Sequence, residues 1–261
     1  MVQTEKLLQR LNAIGESLSK TDGALGLLGL GSVGLETDRL DEYSDLDFFV
    51  FVRAGAKPRF LESLDWLENA HALAYSFLNT EVGYKILFED GIYGEFAIFE
   101  EEELAVISYT GGRMVWRSPD WQTNVPATWG LPAKEPKTDL HHPLNEALTN
   151  LYVGLSRYAR GERLSALRFI QSYAIDNLVS VLHLLEREES FFPDPFGSER
   201  RLERRFPAFA GQLSEMLQGC DRLPESALAI LGYIERHYPV NERLSWEIRR
   251  MARECGASRI I

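Results

Sequence analysis

Apolar residues fall at two different periods along the chain. Over residues 4–18, Leu7, Leu8, Leu11, Ile14 and Leu18 recur every three or four positions, which predicts an amphipathic helix. The run ALGLLGLGSVG follows, short, apolar and closed by Gly and Ser, as expected of a buried strand entering a turn. DLDFFVFV (45–52) predicts a second strand rich in Phe and Val. Residues 58–72 return to helical spacing, with Phe60, Leu61, Leu64, Leu67 and Ala70 on one face. ALAYSFL (72–78), GYKILFE (83–89) and YGEFAIFE (93–100) read as three more strands, the last two separated by the turn Glu89-Asp90-Gly91. A short acidic helix, EEELAVIS, comes next. The first half is therefore expected to be a mixed sheet with helices.

The pattern changes after Trp116. Residues 118–143 hold five prolines (119, 126, 132, 136 and 143) and no sustained period, which predicts a connector. Beyond it, Leu144, Leu148, Leu151, Leu155 and Tyr158 form one helical stripe, and Leu167, Ile170, Ala174, Leu178, Val181 and Leu185 form another. FFPDPFG (191–197) interrupts, and three more helical segments complete the chain: LERRFPAFAGQLSEML, ESALAILGYIERHY and LSWEIRRMAREC. The expected organisation is α+β: a mixed-sheet domain over residues 1–117, a Pro-rich connector over 118–143, and an all-α bundle over 144–261.

Composition narrows what such a chain can do. Hydrophobic residues make up 45% of the 261 positions and charged residues 26%, as in ordinary folded proteins. The net charge of −11 argues against nucleic acid as the main ligand, because binding the phosphate backbone normally calls for a positive surface. Cys220 and Cys255 are the only cysteines, too few for a disulfide framework or a Cys-rich zinc site, and a reduced compartment fits. The N-terminal stretch is charged and amphipathic instead of a secretory leader, and no uncharged apolar run is long enough to span a bilayer. A cytoplasmic protein with no membrane segment is expected.

Candidate chemistry lies in Gly31-Ser32 and Asp45-Leu46-Asp47. Alternate residues of a strand share a face, so Asp45 and Asp47 project side by side while Leu46 turns away. Two adjacent carboxylates repel unless a cation sits between them, and hard oxygen ligands suit Mg²⁺, which takes its remaining ligands from water and substrate phosphates. Gly31 lets backbone N–H groups approach a phosphate, and the Ser32 hydroxyl adds a donor. Glu95 interrupts the apolar run GEFAIFE; on a neighbouring strand it can take a proton from an attacking hydroxyl or ligate a second metal. Arg157, Arg160, Arg163 and Arg168 crowd the helical half, and Arg168, which interrupts an apolar run, is the best placed to reach nucleotide phosphates across a cleft between the domains. The run Glu199–Arg205 mixes both signs and reads as a solvated helix. His141-His142 reads as part of the connector. Trp116, Trp121 and Trp129 either wall an acceptor pocket or pack the connector onto the core.

LGLGSVGLETDRLDEYSDLDFFVFV, with a third carboxylate on a later strand, resembles the hallmark of the DNA polymerase β-like nucleotidyltransferases. More narrowly, Tyr43-Ser44-Asp45-Leu46-Asp47-Phe48 together with Gly94-Glu95-Phe96 is similar to the antibiotic nucleotidyltransferases, above all those that adenylylate lincosamides. The spacing from Gly31-Ser32 to Asp45 is slightly longer than in those enzymes, within the Leu35–Asp41 loop. The resemblance implies Mg²⁺ held by Asp45 and Asp47, triphosphate contacts from Gly31 and Ser32, and Glu95 as general base. It further implies transfer of AMP from ATP to a hydroxyl of a small molecule, a lincosamide or an aminoglycoside, with release of pyrophosphate, and it leaves a homodimer open. Two alternatives stand beside it. A protein-modifying nucleotidyltransferase of a toxin–antitoxin pair would usually be much shorter, and a catalytically silent nucleotide-binding regulator would not need Glu95.

Overall fold

The computed structural model describes residues 3–130 and 137–256. The chain divides into two compact units, Met1–Ala133 and Lys134–Ile261. The first opens with helix α1 (Gln3–Leu18), whose predicted stripe is buried at Leu7, Leu11, Ile14 and Leu18. Its sheet contains β1 (Ala24–Gly29), β2 (Leu46–Val52), β3 (Leu73–Leu78), β4 (Gly83–Phe88), β5 (Tyr93–Glu100) and β6 (Arg113–Arg117). The spatial order is β3-β4-β5-β2-β1-β6. β2 and β5 run parallel and every other neighbouring pair runs antiparallel, so the sheet is mixed as expected.

Each face of the sheet has its own core. Leu46, Phe48, Val50 and Val52 of β2 and Phe96 and Ile98 of β5 pack with α1 and with Phe60 and Trp66. On the opposite face Phe49, Phe51 and Phe99 pack with Leu104, Tyr109 and Trp121. A one-residue slip of β2 would turn the first set out of its core, so the alternation of the sequence pins the register.

Two local expectations in this unit are corrected, one strand is added and one open alternative is decided. Residues 58–72 form two short helices, α2 (Lys57–Glu62) and α3 (Asp65–Glu68), because Ser63 is extended between them; the break lets Trp66 turn fully into the core. EEELAVIS is a 3₁₀ turn, Glu101–Ala105, closed by a capping box in which the Glu100 and Glu103 side chains each bond the other's backbone. β6 was not expected, since its arginines at both ends mask a strand on the sheet edge. In the connector, Trp121 is buried against Phe51 and so packs onto the core.

The second unit is helical. α4 (His141–Ala159) starts earlier than its apolar stripe suggested: the Asp139 carboxylate accepts from the His141 and His142 backbone N–H groups at 2.9 and 3.3 Å, so the two histidines form the first turn. The second stripe is helical from Arg163 to Val179 with a π-turn at Arg168–Tyr173, then breaks at Ser180-Val181. The mixed-charge run is not one helix; Arg201 is left-handed (φ 58°) and only Leu202–Arg205 is helical. α5 (Leu223–His237) and α6 (Glu242–Glu254) complete the bundle core with Ile230, Leu231, Ile234 and Ile248. Among the described residues no helix is long and apolar enough to cross a membrane. Residues 131–136, with Pro132 and Pro136, lie outside the description.

One ion pair staples α1 to the sheet. Arg10, nearly buried, reaches Asp90 at 2.8 Å and lays its guanidinium over the Phe88 ring. Burial pushes the Asp90 carboxyl up, but the Arg10 hydrogen bond and charge outweigh it and hold the group below its ordinary value. A carboxyl depressed by folding stabilises above its unfolded pKa and loses that contribution as pH falls through the folded one. Asp90→Asn should therefore cost about 1–3 kcal/mol at neutral pH, and the difference in thermal midpoint from the wild type should shrink in acid as the wild-type carboxyl protonates.

Candidate active site

Asp47 stands opposite Glu95 in the parallel β2–β5 pairing. Neighbouring strands lie about 4.8 Å apart, and residues in register share a face, so two carboxylates from distant parts of the chain become neighbours. Leu46 and Phe48 are fully buried on the other side, which obliges Asp47 to point away from that core, and Asp47 and Asp45 are both exposed. Gly94 is part of the same fit: a Cβ there would sit 2.8 Å from the Leu46 carbonyl oxygen, so a side chain beside Glu95 would push β5 off β2. The turn before Asp45 is held by Asp41, whose Oδ1 accepts from the Tyr43 N–H and the Ser44 hydroxyl, each at 3.0 Å.

Glu95 is gripped on its outer side. Its Oε1 accepts from the Tyr93 hydroxyl at 2.8 Å and from the Lys85 ammonium at 2.9 Å. Lys85 sits opposite Glu95 in the β4–β5 pairing, which makes Lys85, Glu95 and Asp47 one row across three strands. The bond to Glu95 raises the Lys85 ammonium above its usual value. Partial burial, then the bond to Glu95, raise the Tyr93 phenol, and the Asp45 charge adds to the effect, so Asp45 lies within electrostatic reach of the row.

Gly31 and Ser32 come to the same end of the sheet. The Leu30 N–H donates to the Asp47 carbonyl at 2.8 Å, which ties the end of β1 to the start of β2. The chain then turns through a 3₁₀ turn, Gly31–Val33, with Gly31 at φ 52° in the left-handed region and Ser32 buried. Arg39 covers Gly31 closely, since a Cβ there would stand 2.7 Å from its Nη2, and its Nε pairs with Glu36 at 2.5 Å. Arg113 of β6 braces the turn from beneath by donating to the Val33 and Gly34 carbonyls at 2.9 and 3.0 Å. Gly34 has no room for a side chain, whose Cβ would fall 2.1 Å from the Gly111 carbonyl oxygen.

Five of the sequence-predicted residues, Gly31, Ser32, Asp45, Asp47 and Glu95, thus gather at one end of one sheet. Arg168 lies in the second unit, on the exposed side of a π-turn whose neighbours Ala166 and Ile170 are buried. Sequence reasoning missed Lys85, Tyr93, Arg39 and Arg113. The alternation in GYKILFE marks Lys85 as facing away from Ile86 and Phe88, but only strand pairing names its partner. Among the described residues no group of three or more His, Cys, Asp or Glu is placed to hold a metal by itself. Asp45 and Asp47 remain as a pair of hard oxygen donors, a set that suits a cation completed by water and phosphate oxygens, as Mg²⁺ is.

No known family profile matches the chain, and no curated protein sequence does. Several solved structures match over nearly the whole chain at low identity. An aminoglycoside 6-adenyltransferase from Bacillus subtilis matches at 15% identity over 96% of this chain and 99% of its own, with a TM-score of 0.37. The STING-associated CdnE c-di-GMP synthase from Capnocytophaga granulosa matches at 11% identity over 97% and 79%, with a TM-score of 0.32. The Thermotoga maritima CCA-adding enzyme, solved with tRNA, matches at 12% identity over 97% and 74%, with a TM-score of 0.38.

Proposed function

We propose that the chain is a nucleotidyltransferase that moves AMP from ATP to a hydroxyl of a small molecule. The observation that carries this reading is the register of β2 and β5, which sets Glu95 beside Asp47 at the end of the sheet where Gly31 and Ser32 turn. Asp45 and Asp47 would hold Mg²⁺, which, when bound with the nucleotide, neutralises phosphate charge and polarises the α-phosphate. The Gly31–Ser32 turn, with Arg39 against it, lies where the triphosphate would rest.

Glu95 takes the proton of the acceptor hydroxyl as that oxygen bonds to the α-phosphorus. The bond from the α-phosphorus to the bridging oxygen breaks in line, and the electron pair leaves with pyrophosphate. Lys85 and Tyr93 hold Oε1 and so fix the plane of the Glu95 carboxylate, an orientation the reaction needs. The net charge of −11 favours a small acceptor over a long nucleic acid. A lincosamide or aminoglycoside hydroxyl is the acceptor proposed.

Incubation with ATP, Mg²⁺ and a panel of lincosamides and aminoglycosides should release pyrophosphate and yield an adenylylated product by mass spectrometry. Chelation of the metal should stop it. Equal background release by the wild type and Asp45→Ala with every acceptor would overturn the reading. Label appearing on a polypeptide would favour protein modification instead.

A further inference from the structure

The sheet face that carries Asp47 and Glu95 is covered over one half and open over the other. Leu25, Leu28, Phe51 and Trp121 close the side around β1 and β2. Over β3 and β4 the register sets Tyr75 opposite Leu87 and Leu87 opposite Tyr93, while Phe77 stands opposite Lys85 and Lys85 opposite Glu95. Directly opposed residues of antiparallel strands share a face, so Tyr75, Phe77 and Tyr93 all stand on the side of Glu95. They are exposed by 55, 51 and 37% respectively. Three large rings left open to water on one face, contiguous with a polar row, are the mark of a binding surface.

We propose that Tyr75, Phe77 and Tyr93 form the platform on which the acceptor lies while its hydroxyl points at Glu95. The inference rests on the nucleotidyl-transfer reading, which makes Glu95 the group the hydroxyl must approach. Phe77 is two strands from Glu95, about 10 Å, and Tyr93 is two residues along β5, about 7 Å, so a molecule of two linked rings spans from platform to carboxylate. The class of acceptor follows from the surfaces offered. Aromatic faces take the apolar side of a ring, and the Lys85 ammonium between Phe77 and Glu95 is already paired with the Glu95 carboxylate, so the platform offers ring faces and not a free charge. The platform therefore selects a hydroxyl-bearing ring compound with one apolar face.

Calorimetric titration of the full chain tests this with two probes, lincomycin and α,β-methylene-ATP with Mg²⁺. Lincomycin has a hydroxylated sugar ring, an alkylated proline and one amine. Phe77→Ser and Tyr75→Ser should each weaken lincomycin binding about fivefold and leave the ATP analogue's affinity unchanged, and Phe77→Trp should restore it. Lincomycin binding unchanged in both serine variants overturns the platform, as does a loss of analogue affinity in parallel with lincomycin. A wild type that binds the analogue but not lincomycin overturns the proposed acceptor class while nucleotide binding stands. Platform-dependent lincomycin binding with no analogue binding supports the platform and counts against the transfer reading.

Discussion

Asp47→Asn should fold like the wild type and lose turnover by about a thousandfold or more. The side chain is exposed, so the exchange leaves the β2 core of Leu46, Phe48 and Val50 untouched. It removes one of two carboxylates proposed to hold Mg²⁺, whose charge stabilisation is worth several kcal/mol, and every ~1.4 kcal/mol is tenfold in rate. Asp45→Asn should do the same, and the double variant should be little worse than either single one, because residues that act as a unit are not additive. Pyrophosphate release checks the rate and thermal melting checks the fold. Substantial activity in Asp47→Asn would remove the metal pair from the mechanism.

Glu95→Gln should reduce kcat by about 10²–10⁴, the usual contribution of a positioned general base. The amide keeps the shape of the carboxylate and can still accept from Tyr93, so the orientation at β5 survives. Nucleotide affinity should stay within about twofold, because the group acts on the acceptor proton and not on the triphosphate. Titration with a non-hydrolysable ATP analogue separates the two effects. A loss of nucleotide affinity as large as the loss of kcat would make Glu95 a metal ligand instead of a base.

Much of the N-terminal unit was legible in its periods. YGEFAIFE is β5 from end to end, and the strand predicted over 45–52 is β2 starting one residue later. Alternation across DLDFFVFV put Asp47 on the face opposite Leu46 and Phe48, and the burial of those two agrees; Asp45 lies just before the strand. Period failed where tertiary contacts overrode it. Phe60, Leu61, Leu64 and Leu67 have helical spacing, yet the segment breaks at Ser63 because Trp66 is buried against Phe60 and Phe96. RMVWR has too little apolar contrast to show as a strand, and it forms one because β1 offers an unpaired edge.

By itself the sequence singled out Gly31, Ser32, Asp45, Asp47 and Glu95 as candidates and determined the face on which a strand residue such as Asp47 or Glu95 lies. Those properties are local: a residue two along a strand shares its neighbour's face whatever else the chain does. Only the tertiary structure decided that Asp47 meets Glu95, that Lys85 and Tyr93 hold Oε1 of that carboxylate, and that Arg39 and Arg113 frame the Gly31 turn. Pairing of strands depends on burying two cores at once, on both faces of one sheet. That balance is set by contacts between residues far apart in the chain, and no local period encodes it.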